Sequence, residues 1–199
     1  MPRVASTDVD LTHAPDVAEA HQQGLVFDDR LLVAEVDVGI QHRDSVALGV
    51  FFEGLQVVEA HGLLVEEAHK RVAAVLTPGT IAIDATVGNG FDTLFLAQQV
   101  GAGGKVYGFD IQQTALQATR SKLQQHALIE HVRLYCADHS VLVSYIDRQD
   151  HGAISAVMFN LGYLPGGDKH VKTETESTLT ALQAALSLLR PNALLTVTA

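Results

Sequence analysis

Apolar positions follow a regular pattern from about residue 57 onward. The stretch 57–76 predicts a helix ended by the 77–79 turn, because apolar residues recur there as on one face of a helix: Val58, Leu64, Val65, Ala68, Val72 and Leu76. Short apolar runs predict strands at 81–87, 105–111, 132–138, 154–162 and 193–199. Between them, helices are predicted at 93–100, 112–128 and 175–189, and a helical turn near 140–147. Apolar strands alternating with helices predict the α/β class, as a doubly wound, mainly parallel sheet.

Residues 1–55 break this pattern. They contain no lysine, show no sustained period and carry no motif, although 31–40 and 45–52 resemble strands. We therefore expect an N-terminal extension at 1–55, poorly ordered or not natural coding sequence, and one folded domain at 56–199.

Charge is unevenly distributed along the chain. The formal net charge of −10 argues against a broad nucleic-acid-binding surface. Residues 1–60 hold 3 basic and 11 acidic side chains, whereas 61–199 hold 10 and 12, so that part can carry a local basic patch. No apolar run reaches the ~18 residues of a membrane span. The N-terminus lacks a secretory pattern, and a cytoplasmic protein is expected.

Asp84 begins the first candidate site, at the end of a predicted buried strand. The turn 84–90 that follows contains Gly88 and Gly90, which let a backbone approach a ligand closely. Ligands of open α/β sheets bind at the carboxyl ends of the strands. A lone G-x-G pair also occurs in turns made only for packing, so this site needs a second signal.

Asp110 supplies that signal about 20 residues beyond the glycine turn, where an acidic side chain can bind both ribose hydroxyls of an adenosine. This pair suits NAD as well as S-adenosylmethionine. The third glycine of a dinucleotide fingerprint is replaced by Thr93, while Asn89 and Asp92 suit an amino-acid moiety. The turn therefore favours S-adenosylmethionine, with a nicotinamide oxidoreductase as the rival.

Asn160 opens the third site, with Tyr163 three residues later. The arrangement is similar to the N-P-P-Y loop of methyltransferases that act on amines. In those enzymes the Asn oxygen accepts a hydrogen bond from the amine and aims its lone pair at the methyl group. No metal is needed, because the sulfonium is already a good leaving group.

Three segments together carry a family resemblance: DATVGNGFDTLFLA (84–97), VYGFDIQ (106–112) and MFNLGYLPGGDK (158–169). Over about residues 61–199 the chain resembles the family often labelled putative rRNA methylase, whose characterised members methylate the 5-aminomethyl group of a tRNA wobble uridine. The resemblance implies a class I methyltransferase fold, S-adenosylmethionine as cofactor and the anticodon loop of tRNA as partner.

The resemblance also implies roles for individual residues. The methionine end of the cofactor is expected at Asp84, Gly88, Asn89, Gly90, Asp92 and Thr93. The ribose is expected at Asp110 and Gln112, and the adenine at Asp138 and His139. The catalytic set is Asn160, Tyr163 and Asp168, and the substrate set is Leu161, Gly162, Gly167 and Lys169. Asp168 either accepts the amine proton or pairs with Lys169.

The chain departs from the family at both ends. Family members continue beyond the fifth strand, so either the last two strands are lacking or residues 1–55 replace them, the first being preferred. A homodimer through the fifth strand is compatible with this. His61 and His69 are taken as ordinary helix histidines rather than metal ligands, and Cys136 as a buried strand residue. Two further alternatives are a methyltransferase for another RNA or small-molecule amine and a non-catalytic cofactor-binding protein.

Overall fold

The structure, a computed structural model, describes residues 31–36, 55–58, 64–161 and 175–198. The strands are β1 (Leu31–Val36), β2 (Leu55–Val58), β3 (Ile81–Asp84), β4 (Lys105–Asp110), β5 (Val132–Cys136), β6 (Ile154–Asn160) and β7 (Leu189–Thr198). The α-helices are α1 (Leu64–Val75), α2 (Phe91–Val100), α3 (Gln113–Gln125) and α4 (Thr175–Leu188). Short 3₁₀ helices cover Ile129–His131, His139–Tyr145 and Arg148–Asp150.

All seven strands form one sheet in the order β2-β1-β7-β6-β3-β4-β5. The five strands from β7 to β5 run parallel, and β3 pairs with β4 on one side and β6 on the other. The chain therefore reverses its direction of winding at β3, which creates the switch point where ligands bind in such sheets. This confirms the predicted doubly wound, mainly parallel α/β fold.

The sheet is covered on both faces, as its apolar strands predict. Helices α1, α2 and α3 pack on one face through buried residues that include Ala68, Val72, Leu96 and Leu123. Helix α4 and the 139–145 helix pack on the other through Leu142, Ala181, Ala185 and Leu188. Burial of apolar side chains between these layers holds the strand ends in fixed positions.

Strand β1 lies beside β7 and is antiparallel to it, from Leu31 opposite Thr198 to Val36 opposite Ala193. Strand β2 is antiparallel to β1 and forms the outer edge. Strands β1 and β2 thus lie on the side of β7 that the sequence analysis expected to be an unpaired sheet edge. Pairing with β1 satisfies backbone groups that an exposed edge would leave open.

Three local predictions were wrong. Val57 and Val58 belong to β2 and not to the predicted helix, because pairing with β1 overrides a weak helical period. Strand β7 begins at Leu189 and not at the predicted residue 193, and its pairing with β6 is irregular between Ile154 and Ala156. Cys136 is exposed at the end of β5 rather than buried.

Candidate functional site at the carboxyl ends of the strands

Asp84 anchors the glycine turn from below. The residue ends β3 and is fully buried. Its Oδ1 accepts a hydrogen bond from the Thr86 amide at 3.1 Å, and its Oδ2 accepts one from the Thr93 hydroxyl at 2.5 Å. The carboxyl group thus ties the strand, the turn and the first turn of α2 together.

Burial raises the pKa of Asp84 from 3.8 to about 7, and the negative charge of the nearby Asp92 acts in the same direction. Hydrogen bonds from Thr93 and Thr86 oppose this rise in the pKa, and the more distant charge of Asp110 adds to it. The glycine turn is therefore hydrogen-bonded to a carboxyl group whose charge changes near neutral pH.

Gly88 and Gly90 are both left-handed, with φ of 49° and 72°. A Cβ on Gly90 would lie 2.3 Å from the Thr119 Oγ1 of α3, so only glycine fits there without rearrangement. Lys122 fastens the same turn, because its Nζ donates to the Asn89 carbonyl oxygen at 2.6 Å. That ammonium group also lies 3.3 Å from the centroid of the exposed Phe91 ring.

Asp110, at the end of β4, connects two turns through one carboxylate. Its Oδ2 accepts the Gly88 amide and its Oδ1 accepts the Gln112 amide, both at 2.8 Å. Each carboxylate oxygen can accept a second hydrogen bond, so the group is both oriented and able to bind hydroxyl groups.

Asp138 and His139 follow β5 at the same edge. Asp138 caps the 139–145 helix by accepting the Ser140 amide at 2.8 Å. Burial would raise the pKa of Asp138, but the hydrogen bonds from Ser140 outweigh it and the pKa is lowered. Burial lowers the pKa of His139, and among the described residues its buried Nε2 has no hydrogen-bond partner.

Asn160 ends β6, and both its backbone and its side chain are held. Its amide donates to the Thr86 hydroxyl at 2.7 Å. Its side-chain Nδ2 lies 3.3 Å from Asp92 Oδ2, while Asp92 Oδ1 lies 2.6 Å from His69 Nε2. Asn160 itself is exposed, and its amide oxygen is the part of the side chain that does not face Asp92.

The fold brings the described candidates to one edge, because the residues end or follow the adjacent strands β3, β4, β5 and β6. Three features of this edge fit an adenosine cofactor: the glycine turn at Gly88 and Gly90, the oriented carboxylate of Asp110 and the unpartnered Nε2 of His139. In the part of the chain that the structure describes, no group of acidic, His or Cys residues is arranged to hold a metal ion. The helices found there are also too short or too polar to cross a membrane.

Several predicted residues have a supporting position instead of an open one. Thr93 is fully buried and its hydroxyl donates to Asp84, and both oxygens of Asp92 accept protein groups. Leu161 is partly buried, and its amide donates to the Thr198 carbonyl oxygen at 2.7 Å. The candidates Gly162, Tyr163, Gly167, Asp168 and Lys169 lie outside the described residues.

Four contacts were missed by sequence reasoning: those of His69, Thr86, Thr119 and Lys122. Thr86 lies within the recognised turn, and its hydroxyl could have been considered there. The other three lie on α1 and α3, and nothing in their local spacing indicates a contact with the turn or with α2.

The strand order and the place of this site at the switch point define the Rossmann-like fold of class I methyltransferases. The family model described as "Putative rRNA methylase" matches residues 106–199, which places this segment in that family.

Similar proteins support both statements. The chain is 39% identical over 140 residues to the chloroplastic tRNA (mnm(5)s(2)U34)-methyltransferase of Arabidopsis thaliana, covering 66% of this chain and 50% of that protein. It is 43% identical to a solved "putative rRNA-methylase" from Clostridium thermocellum, with a TM-score of 0.60 over 63% of this chain and 65% of that one. It is 40% identical to a "putative methyltransferase" from Streptococcus mutans in complex with SAH, with a TM-score of 0.56 over 63% and 66%. The chain spans about half the length of the curated relative it matches.

Proposed function

We propose that this chain is an S-adenosylmethionine-dependent N-methyltransferase that acts on the 5-aminomethyl group of a tRNA wobble uridine. The observation that carries the proposal is the position of Asn160, which ends β6 beside the glycine turn with its amide nitrogen bound to Asp92. The Arabidopsis relative is named as a tRNA methyltransferase, which supports a tRNA substrate, and the Streptococcus structure with SAH supports the cofactor.

The cofactor would lie across the carboxyl edge. The open lone pairs of Asp110 would accept the ribose hydroxyls, because backbone amides already fix the plane of that carboxylate. The turn at 84–90 would border the methionine end, and Asp92 would add negative charge near its amino group. Asp138 and His139 would border the adenine.

Asn160 would orient the amine. Its Oδ1 can accept an N–H of the neutral amine, which aims the nitrogen lone pair at the methyl carbon. Bound S-adenosylmethionine would supply a methyl group on a sulfonium: the N–C bond would form as the C–S bond breaks, the electron pair would leave with sulfur, and a proton on nitrogen would pass to water. Tyr163, Asp168, Gly162, Gly167 and Lys169 complete the proposed substrate loop from the sequence. Leu161 joins them from its position beside β7.

The test uses tRNA from cells that lack the methyl group, incubated with the purified chain and methyl-labelled S-adenosylmethionine. Mass spectrometry of the nucleosides should show conversion of 5-aminomethyluridine to 5-methylaminomethyluridine. Label in a different nucleoside, or in a small amine, would instead favour a methyltransferase for another RNA or small-molecule amine. A chain that binds SAH in calorimetry but labels no RNA would be a non-catalytic binding protein.

A further inference from the structure

Three side chains from separate elements form a continuous line that ends at Asn160. His69 comes from α1, Asp92 from the first turn of α2 and Asn160 from the end of β6. The His69 Nε2 lies 2.6 Å from Asp92 Oδ1, and the Asn160 Nδ2 lies 3.3 Å from Asp92 Oδ2. The middle member is buried, with 8% of its side chain exposed, so solvent competes little for its oxygens.

The chemistry of the middle member fixes the orientation of both ends. An ionised carboxylate only accepts hydrogen bonds, so Asp92 can bind Asn160 only through its NH₂ group. The Asn160 Oδ1 must then face away from Asp92. By the same argument the His69 Nε2 carries a proton and donates it.

His69 is itself held rigidly. Its ring stacks on Phe95 with 3.9 Å between centroids and 4° between planes. This stacking directs the His69 N–H group toward Asp92. The resulting hydrogen bond in turn restrains rotation of the Asp92 carboxylate.

We infer that His69 is a positioning residue for the amine methylation: through Asp92 it holds the Asn160 amide with its oxygen, and not its NH₂ group, toward the substrate amine. The inference rests on the proposed function. An Asn side chain at an exposed strand end is otherwise free to turn over, and a rotated amide would present donors to the hydrogens of an amine. In this arrangement His69 would act on Asn160 through Asp92.

The experiment compares three variants of the full chain. His69→Phe keeps a ring to stack on Phe95 but loses the donor, His69→Gln keeps a donor without the ring, and His69→Ala loses both. We expect kcat to fall about tenfold or more in the Phe and Ala variants and to stay within about threefold in the Gln variant. The SAH dissociation constant should change less than about twofold in all three.

If His69 only held α1 against α2, the three variants would rank in a different order of kcat. In that case His69→Phe would keep its kcat and melting temperature, while His69→Gln would lose both. That order, or a parallel loss of SAH affinity and kcat, would overturn the inference.

A second readout does not depend on turnover. The side-chain NH₂ signals of Asn160, assigned in a ¹⁵N spectrum by their loss in Asn160→Asp, should shift in His69→Phe and stay near their position in His69→Gln. Unmoved signals in His69→Phe would contradict the positioning role. If the wild-type chain methylates no RNA while these signals move as expected, the proposed function fails and the positioning of Asn160 stands.

Discussion

The Gly88 amide donates to Asp110 Oδ2 at 2.8 Å, so the glycine turn after β3 is tied directly to the end of β4. The two residues are 22 positions apart in the chain: Gly88 follows β3, and Asp110 ends β4, which pairs with β3 in parallel. One carboxylate therefore shapes the turn and offers lone pairs to a ligand.

Asp110→Ala is expected to weaken SAH binding by about tenfold or more, because it removes charge-assisted acceptors and releases the Gly88 amide. Calorimetric titration of SAH measures this. Asp147→Ala is the matched control, because that carboxylate pairs with Lys105 and Arg133 at the opposite edge of the sheet. Equal losses in both variants would show a general loss of structure.

Gly90→Ala should lower the free energy of unfolding by about 3 kcal/mol, because the new methyl group meets Thr119 and the backbone has positive φ. Gly79→Ala serves as the control: its φ is also positive, at +89°, but a Cβ there meets nothing within 4 Å. That control should lose only about 1 kcal/mol. Urea unfolding of the two variants measures the difference, and equal losses would rule out the steric cause.

Asp84 should make the protein less stable as the pH rises. Because its pKa is raised from 3.8 to about 7, the folded chain holds a proton in this window that the unfolded chain has released. Stability is therefore lost progressively across the window and stays lower above it. In Asp84→Asn this dependence disappears, so the unfolding free energy of the variant relative to wild type should rise between about pH 5 and about pH 8.

Asp138→Asn is the control with the opposite sign. The hydrogen bonds from Ser140 outweigh burial and lower the pKa of Asp138, so its ionised form stabilises the folded chain and that stability is lost in acid. Relative to wild type, the Asp138→Asn variant should become less stable as the pH rises through the acid range up to about 3.8, and between about pH 5 and about pH 8 the difference should stay constant. The same sign in both variants would contradict the assignment of the raised pKa to Asp84.

Asn160→Ala is expected to lower kcat by at least about a hundredfold while SAH affinity stays within about twofold. The reason is that the side chain binds Asp92 and, in the proposed function, orients the substrate amine, whereas the backbone contact to Thr86 survives the substitution. Nucleoside mass spectrometry and calorimetry on the same preparation separate the two effects. Joint loss of turnover and of cofactor binding would make Asn160 a structural residue.

Deletion of residues 1–55 should leave β7 without its antiparallel neighbour and promote self-association. We propose that 56–199 is the methyltransferase domain and 1–55 its extension, so the shortened chain should still bind SAH. Light scattering after size-exclusion chromatography measures the association state. A stable monomer of unchanged melting temperature would show that β1 contributes nothing to the sheet.

The sequence by itself determined the repeating strand–helix order and the residues at the strand ends. Apolar runs without polar alternation require a sheet covered on both faces, and parallel pairing then brings Asp84, Asp110 and Asn160 to one edge. These features follow from local pattern and from general rules of chain connection, so a single sequence is enough to predict them.

Only the tertiary structure decided which side chains meet across that edge. The Gly88 amide binds Asp110, and His69 contacts Asp92, which binds Asn160, because α1 and α2 pack on the sheet that contains β6. The same holds for β1, whose place beside β7 depends on backbone pairing between distant segments. Contacts of this kind are set by three-dimensional packing and leave no period or spacing in the sequence.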